Sequence, residues 1–438
     1  MMPSKVDATK AFVWMWLPGE TEPVVAGRLD QDGERLLFTY GASYRRRKNA
    51  IPIYEPELPL RQGAIPPING LPMASCIRDG SPDAWGRRVI LNRLTGKRPD
   101  AAGVPEISEL TYLLQSGSDR IGALDFQASA TDYLPRLAAQ ASLDELLEAT
   151  ELIEKGVPLT PALDQALNHG TSIGGARPKA LIDDGTKKFI AKFSASNDTY
   201  SVVKAEFIAM KLASACELNA ASVSMTRAAQ KEVLLVERFD RTHTNDGWTR
   251  YAMVSALTML GLDEMMARYA SYEDLAEIIR HRFTEPKGTL KELYGRICFN
   301  VLCGNTDDHA RNHAAFWDGR MLTLTPAYDI CPQARTGNEA TQAMLIKGGG
   351  RASTFATCLA AAPDYHLKEA EAAGLIEHQI TTIAKYWPAV CEEAELSSVD
   401  RRLFAGRQFL NSYALEGLDG HKAVEDAFRS AQDTLIAT

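Results

Sequence analysis

Residues 305–313 read Asn305-Thr306-Asp307-Asp308-His309-Ala310-Arg311-Asn312-His313. A helical repeat precedes them over 289–303, with Leu290, Leu293, Tyr294, Ile297 and Val301 at three- and four-residue spacings. Gly304 supplies a natural stop, because glycine accepts the left-handed backbone on which helices commonly end. A short strand over 314–317 follows, then an Asp318-Gly319 turn, a second strand over 321–324, and Pro326-Ala327-Tyr328-Asp329. An aspartate, an asparagine five residues on, a hairpin and a second aspartate form the order used for phosphoryl transfer in protein kinases. The chemistry requires those residue types. A carboxylate must orient the attacking hydroxyl and accept its proton, and Mg²⁺ needs hard oxygen ligands. Asp307 is therefore expected as the base, and Asn312 and Asp329 as metal ligands. A lone aspartate in such a stretch is ordinarily a turn residue; the ordered set carries the reading.

A zinc site built from Cys298, Cys303, His309 and His313 fits less well. The gap between the pairs is far shorter than the roughly 12 residues of a zinc finger. Cysteines five apart on a helix also do not face one point.

Upstream lies Thr171-Ser172-Ile173-Gly174-Gly175-Ala176-Arg177-Pro178-Lys179, a small-residue segment leading into strand-like Ala180-Leu181-Ile182. Backbone amides approach phosphate closely only where side chains are absent. The spacing matches neither a Walker A loop nor a dinucleotide fingerprint. A glycine pair alone is most often a turn. Asp184-Gly185 then marks a hairpin, and the strand Lys188-Phe189-Ile190-Ala191-Lys192-Phe193 places Lys192 among apolar neighbours. Such a lysine can hold the α- and β-phosphates of ATP, and Glu206, near the start of a helix over 202–215, suits its ion-pair partner. At the end of the apolar strand Leu234-Leu235-Val236, Glu237 and Phe239 are positioned to meet adenine through their main chain, and Asp240 to meet ribose.

At 438 residues the chain exceeds what one core carries, so at least two domains are expected. A net charge of −8 argues against coating nucleic acid by charge alone. The densest basic run, Arg45-Arg46-Arg47-Lys48, reads as a solvated loop. Seven cysteines, odd in number and scattered, suggest reduced thiols in a cytosol. The apolar stretch 11–18 is too short for a secretory signal, and no apolar run approaches the roughly 20 residues that span a bilayer. A cytoplasmic protein without membrane partners is the expectation.

Short strands are expected at 11–16, 24–29 and 35–40, followed by a helix over 83–94 and another opened by the capping-box pair Ser142 and Glu145. A boundary is drawn at 156–160. It gives an amino-terminal subdomain of strands then helices (1–155), a part with the Gly-rich segment, lysine strand and hinge (156–245), and a helical lobe (246–438).

The segment from Ser172 to Lys179, Lys192, the run Glu237-Arg238-Phe239-Asp240-Arg241, the 305–312 motif and Tyr328-Asp329 together resemble the HipA family. Gly27-Arg28-Leu29, Phe38-Thr39-Tyr40 and Pro82-Asp83-Ala84-Trp85-Gly86-Arg87-Arg88 resemble its amino-terminal subdomain. The resemblance covers nearly the whole chain. It implies an α+β, two-lobed protein kinase-like fold with a β-rich amino-terminal subdomain and a helical carboxy-terminal lobe. It implies Ser/Thr kinase activity with ATP and Mg²⁺ and a nucleotide site of Ser172, Ile173, Gly174, Gly175, Ala176, Arg177, Lys192, Glu237, Phe239, Asp240, His309 and Asn312. It implies a HipB-type helix-turn-helix antitoxin as partner, operator DNA bound through that partner, and an aminoacyl-tRNA synthetase as protein substrate. Ser172, with Thr171 beside it, matches the serine that family members autophosphorylate. Asp308 stands where some members carry glycine, and Arg177-Pro178 replaces a Gln-Glu pair. A non-catalytic corepressor on the same fold, or a small-molecule or lipid kinase, are the competing functions.

Overall fold

Alternation builds the first sheet. In a computed structural model describing residues 8–96, 106–137, 141–167, 175–196, 198–335 and 337–437, five strands pair in the order β4-β3-β2-β1-β5. They are β1 (Lys10–Met15), β2 (Val24–Asp32), β3 (Arg35–Tyr40), β4 (Ala64–Ile65) and β5 (Leu124–Gln127). Leu36, Phe38 and Tyr40 of β3 turn inward while their neighbours stay more exposed, as the two-residue period requires. Gly27 allows β2 to run against β3: a Cβ there would lie 2.3 Å from the Thr39 carbonyl oxygen. β5 is buried at all four positions and closes the free edge of β1.

The chain divides into two compact units. The first holds Met1–Asn197, Thr226–Val254 and Phe316–Arg320; the second holds Asp198–Met225, Ser255–Ala315 and Met321–Thr438. The expected boundary at 156–160 falls inside the first unit, between helices Leu143–Lys155 and Pro161–Leu167.

The second sheet of the first unit has the order β6-β7-β9-β8, from β6 (Lys179–Asp183), β7 (Lys188–Phe193), β8 (Val223–Ala228) and β9 (Lys231–Glu237). Ala191 and Phe193 of β7 pack with Val233, Leu146, Ile153 and Trp85 in one apolar cluster. Each fully buried large side chain there contributes roughly 1.5–3 kcal/mol. Trp85, on the helix Ala84–Thr95, donates its indole N–H to the Lys179 carbonyl at 3.0 Å, so the second sheet is pinned to the helix before it. The expected capping box is present: Ser142 accepts from the Glu145 amide, and Glu145 accepts from the Ser142 amide at 2.8 Å. The basic run at 45–48 is largely exposed, in keeping with a solvated loop.

The second unit is built on the helix Pro286–Cys303. From Leu293 to Cys303 every residue of it is buried, the mark of a central helix. Gly304 ends it with φ +68°, and a Cβ there would meet the Gln408 carbonyl oxygen at 2.6 Å. Only glycine meets both demands. Helices Val202–Ala215, Glu369–Glu393 and Lys422–Ala437 belong to the same unit. No described helix is long and apolar enough to cross a membrane.

Candidate active site

The second unit gathers Asp307, Asn312 and Asp329. Asp307 lies in an extended loop that leaves the central helix and enters the short helical turn Ala310–Asn312. The His309 amide donates to the Asp307 carbonyl at 2.8 Å, and the Asn312 amide donates to the His309 carbonyl at 2.8 Å. The Asn312 side-chain NH₂ donates back to the Asp307 carbonyl at 3.3 Å, which leaves the amide oxygen of Asn312 available as a ligand.

The Asp307 side chain is exposed, yet its carboxyl is held above its ordinary range. The surrounding protein is the first cause, and the negative charges of Asp329 and Asp308 add to it against the pull of His309. Asp329 is thus near enough to oppose a second negative charge, an arrangement a divalent cation relieves. Its backbone has φ +59°, a left-handed conformation rare outside glycine and enriched at functional sites. The turn before it is tied down from both sides. Tyr328 donates its hydroxyl to the Arg311 carbonyl at 2.7 Å, and the Ala327 amide donates to the Asn219 carbonyl at 2.7 Å.

These donors fit Mg²⁺. One amide oxygen and one carboxylate are the hard ligands that this ion combines with water and substrate phosphates. Among the described residues no three His, Cys, Asp or Glu side chains converge as a cage, and Mg²⁺ held with a nucleotide does not need one. Cys298 and Cys303 are both buried, and burial raises both thiols.

The remaining expected residues divide between the units. Glu206 is buried within Val202–Ala215 of the second unit. Lys192 belongs to the first, half-buried on β7 between Lys179 of β6 and Leu234 of β9. Gly175, Ala176 and Arg177 lie just before β6, with Gly175 at φ +106° against the Lys179 ammonium. Ser172, Ile173 and Gly174, and with them the modified serine and Thr171, lie outside the described residues. Glu237 ends β9 with its carboxylate on the Lys187 ammonium at 2.7 Å. Phe239 packs its ring edge-on to Phe316.

Asp240 requires a correction. It was expected at the ribose, but it is only 2% exposed and its oxygens are already engaged. Arg238 donates to both of them, at 2.9 and 2.8 Å, Arg241 donates to Oδ2 at 3.0 Å, and the Gly122 amide donates to the same oxygen at 2.8 Å. The same two arginines bind Asp119 at 3.0 Å each, and Lys188 reaches Asp119 at 2.6 Å. The run 237–241 is therefore a clamp onto residues 119–122. Sequence reasoning missed it because the partners lie more than a hundred residues apart; the signal was the alternation of arginine and aspartate at 238–241 straight after an apolar strand.

The fold and this constellation define a chain of the protein kinase-like class. Residues 171–387 match the HipA-like C-terminal domain and residues 20–127 the HipA N-terminal domain, about three quarters of the chain together. The chain belongs to the HipA family. Over 261 residues it is 26% identical to Y4mE of Sinorhizobium fredii, a protein that carries a kinase name; the match takes in 52% of this chain and 59% of that one. Over 183 residues it is 25% identical to the Ser/Thr-protein kinase toxin HipA of Shewanella oneidensis, 36% of this chain and 42% of that one. The chain thus spans about half the length of the curated relatives it matches. The structure of Shewanella oneidensis HipA with HipB and its operator DNA aligns at TM-score 0.60 and 19% identity, over 98% of this chain and 96% of that one, which shows a shared fold.

Proposed function

We propose that the chain is a Mg²⁺- and ATP-dependent Ser/Thr protein kinase, the toxin of a HipA/HipB-type pair. The single observation that carries this reading is the convergence of Asp307, Asn312 and Asp329 on one loop system, two carboxylates and an amide oxygen suited to one base and one metal. In this reading Lys192 and the backbone of the Gly-rich segment hold phosphates, Asn312 and Asp329 hold Mg²⁺, and Asp307 accepts the proton of the acceptor hydroxyl. His309 lines the nucleotide side of the loop, and Glu206 orients the lysine. Bound Mg²⁺ supplies charge neutralisation for the transferred phosphoryl group. An aminoacyl-tRNA synthetase is the proposed substrate, a HipB-type antitoxin the proposed partner with operator DNA bound through it, and Ser172 the proposed autophosphorylation site.

Incubating the purified chain with γ-labelled ATP, Mg²⁺ and cell lysate tests the reading. Label on a protein band, lost in Asp307→Asn, supports it. Label confined to small molecules or lipid points to the other kinase class. No transfer, together with repression by an antitoxin that needs this chain, points to the corepressor.

A further inference from the structure

Asp307 and Asp308 are consecutive, but the backbone turns their carboxylates apart. Asp307 faces solvent, whereas Asp308 is 4% exposed. A single oxygen of Asp308 collects three donors from three different elements. Tyr272, first residue of the helix Tyr272–Arg282, donates its hydroxyl to it. Asn300, in the last turn of the central helix, donates at 2.7 Å. His313, at the far end of the loop, donates from Nε2 at 2.8 Å, a tautomer assigned from the hydrogen-bond network.

The donors are themselves immobilised. Tyr272 is fully buried, and the His313 ring packs edge-on to it at 5.5 Å. The His313 carbonyl accepts from the Ala256 amide at 2.7 Å. The Asn300 carbonyl oxygens, side chain and main chain, accept from Asn305 at 3.0 Å each. None of the three donors is a lysine or arginine. The carboxylate is thus a knot on the underside of the loop that carries Asp307 on top, and the reaction as proposed above makes no use of it.

We infer that Asp308 is a positioning residue for phosphoryl transfer, which through Tyr272, Asn300 and His313 holds the backbone on which Asp307 and Asn312 stand. This inference rests on the kinase reading of the same loop. Its physical basis is that reacting groups must sit within a fraction of an ångström of their productive geometry, and a displacement of about 1 Å costs on the order of 10²-fold in rate. Untying the knot slackens the loop that carries Asp307 and Asn312, whereas Lys192, Glu237 and Phe239, also assigned to nucleotide binding, lie in the first unit.

The test compares wild type, Tyr272→Phe, Asp308→Asn and Asp307→Asn in the full chain, with γ-labelled ATP, Mg²⁺ and lysate, alongside ATP affinity and thermal melting. Tyr272→Phe and Asp308→Asn should lower the transfer rate about 10- to 100-fold, well beyond any loss of ATP affinity. Tyr272→Phe keeps the ring and its packing, so it decides the matter if Asp308→Asn does not fold. Rates within twofold of wild type in the folded variants overturn the inference. So does an ATP affinity that falls in step with the rate, which would mark Asp308 as mere support for the fold. A wild type that transfers nothing overturns the kinase reading and this inference with it. A wild type that is active, an Asp307→Asn that is inactive and knot variants at full rate overturn the inference alone.

Discussion

Asp240 in the first unit and Asp308 in the second are both sealed from solvent and both kept ionised, but by different means. Burial alone would raise either carboxyl. For Asp240 the charges of Arg238 and Arg241 reverse that and hold it below the ordinary carboxylate range. For Asp308 the reversal comes from His313 and the Tyr272 hydroxyl. Full guanidinium charges answer the first aspartate in a fixed fork. Such a cluster is a brace, and taking one member out leaves an uncompensated charge. The second carboxylate has no arginine or lysine among its hydrogen-bond donors, although it feels the charge of Arg296, and is held by a tyrosine, an asparagine and a histidine, within the loop where chemistry is proposed. One buried aspartate should therefore govern stability and the other rate.

The largest effect expected is on the loop that carries Asp307, the proposed base. Asp307→Asn should lower transfer on the order of 10³-fold, since a positioned base contributes about 10²–10⁴, with ATP affinity and melting unchanged. Labelled-ATP assays with equilibrium binding check this. Close behind, Asp329→Ala should abolish the Mg²⁺ dependence of nucleotide binding, measured by titration with and without the metal.

On the brace side, Asp240→Asn should destabilise the first unit by about 3 kcal/mol, the cost of leaving a buried charge unpaired. Hydrogen exchange of β7 and β9 amides reads this directly. A rate loss in Asp240→Asn at temperatures where that unit is intact would break the separation of roles.

The acid response sharpens it further. Asp119 and Asp240 are depressed in the folded chain: burial raises both, but Arg238 and Arg241 more than reverse it. Their stabilisation is therefore complete above the unfolded carboxyl value of about 3.9 and is lost as pH falls through the lower folded values. Exchange protection in the first unit should drop below about pH 4, with a shallower drop in Asp240→Asn. The smallest effect belongs to the exposed Lys187–Glu237 pair, where Lys187→Ala should cost under about 1 kcal/mol by the same measurement.

Much of the local structure was legible. The lysine strand matched its expected bounds, and the strands expected at 11–16, 24–29 and 35–40 appeared within a few residues. The helix before residues 305–313 and its glycine stop followed from spacing and backbone chemistry alone. The order of Asp307, Asn312 and Asp329 could be read because all three lie within 23 positions of sequence. What escaped was long-range or too short to carry a period. β5 alternates apolar and polar residues, but its four positions are too few to mark a strand, and all four are buried, Asp125 and Gln127 included. The Asp119–Arg238–Asp240–Arg241 clamp joins distant segments, and position at a strand end suggested a nucleotide contact where geometry supplied an ion cluster. Asp308 looked like a neighbour of the base because sequence does not reveal which way consecutive side chains turn in an irregular loop.

The way the chain passes between the two units bears on its synthesis. Trp317 belongs to the first unit: its indole N–H donates to the Pro52 carbonyl at 2.9 Å, and its ring meets Tyr54 edge-on at 5.5 Å. A ribosome adding ~5–20 residues per second therefore needs roughly 15–50 s between making Tyr54 and making the tryptophan that covers it. Throughout that interval the amino-terminal part waits with an uncovered aromatic face, and by the time Trp317 emerges most of the second unit's loop chemistry has already been translated. A nonsense codon anywhere before residue 317 leaves both units incomplete, and only a fragment reaching past residue 320 holds every segment of the first.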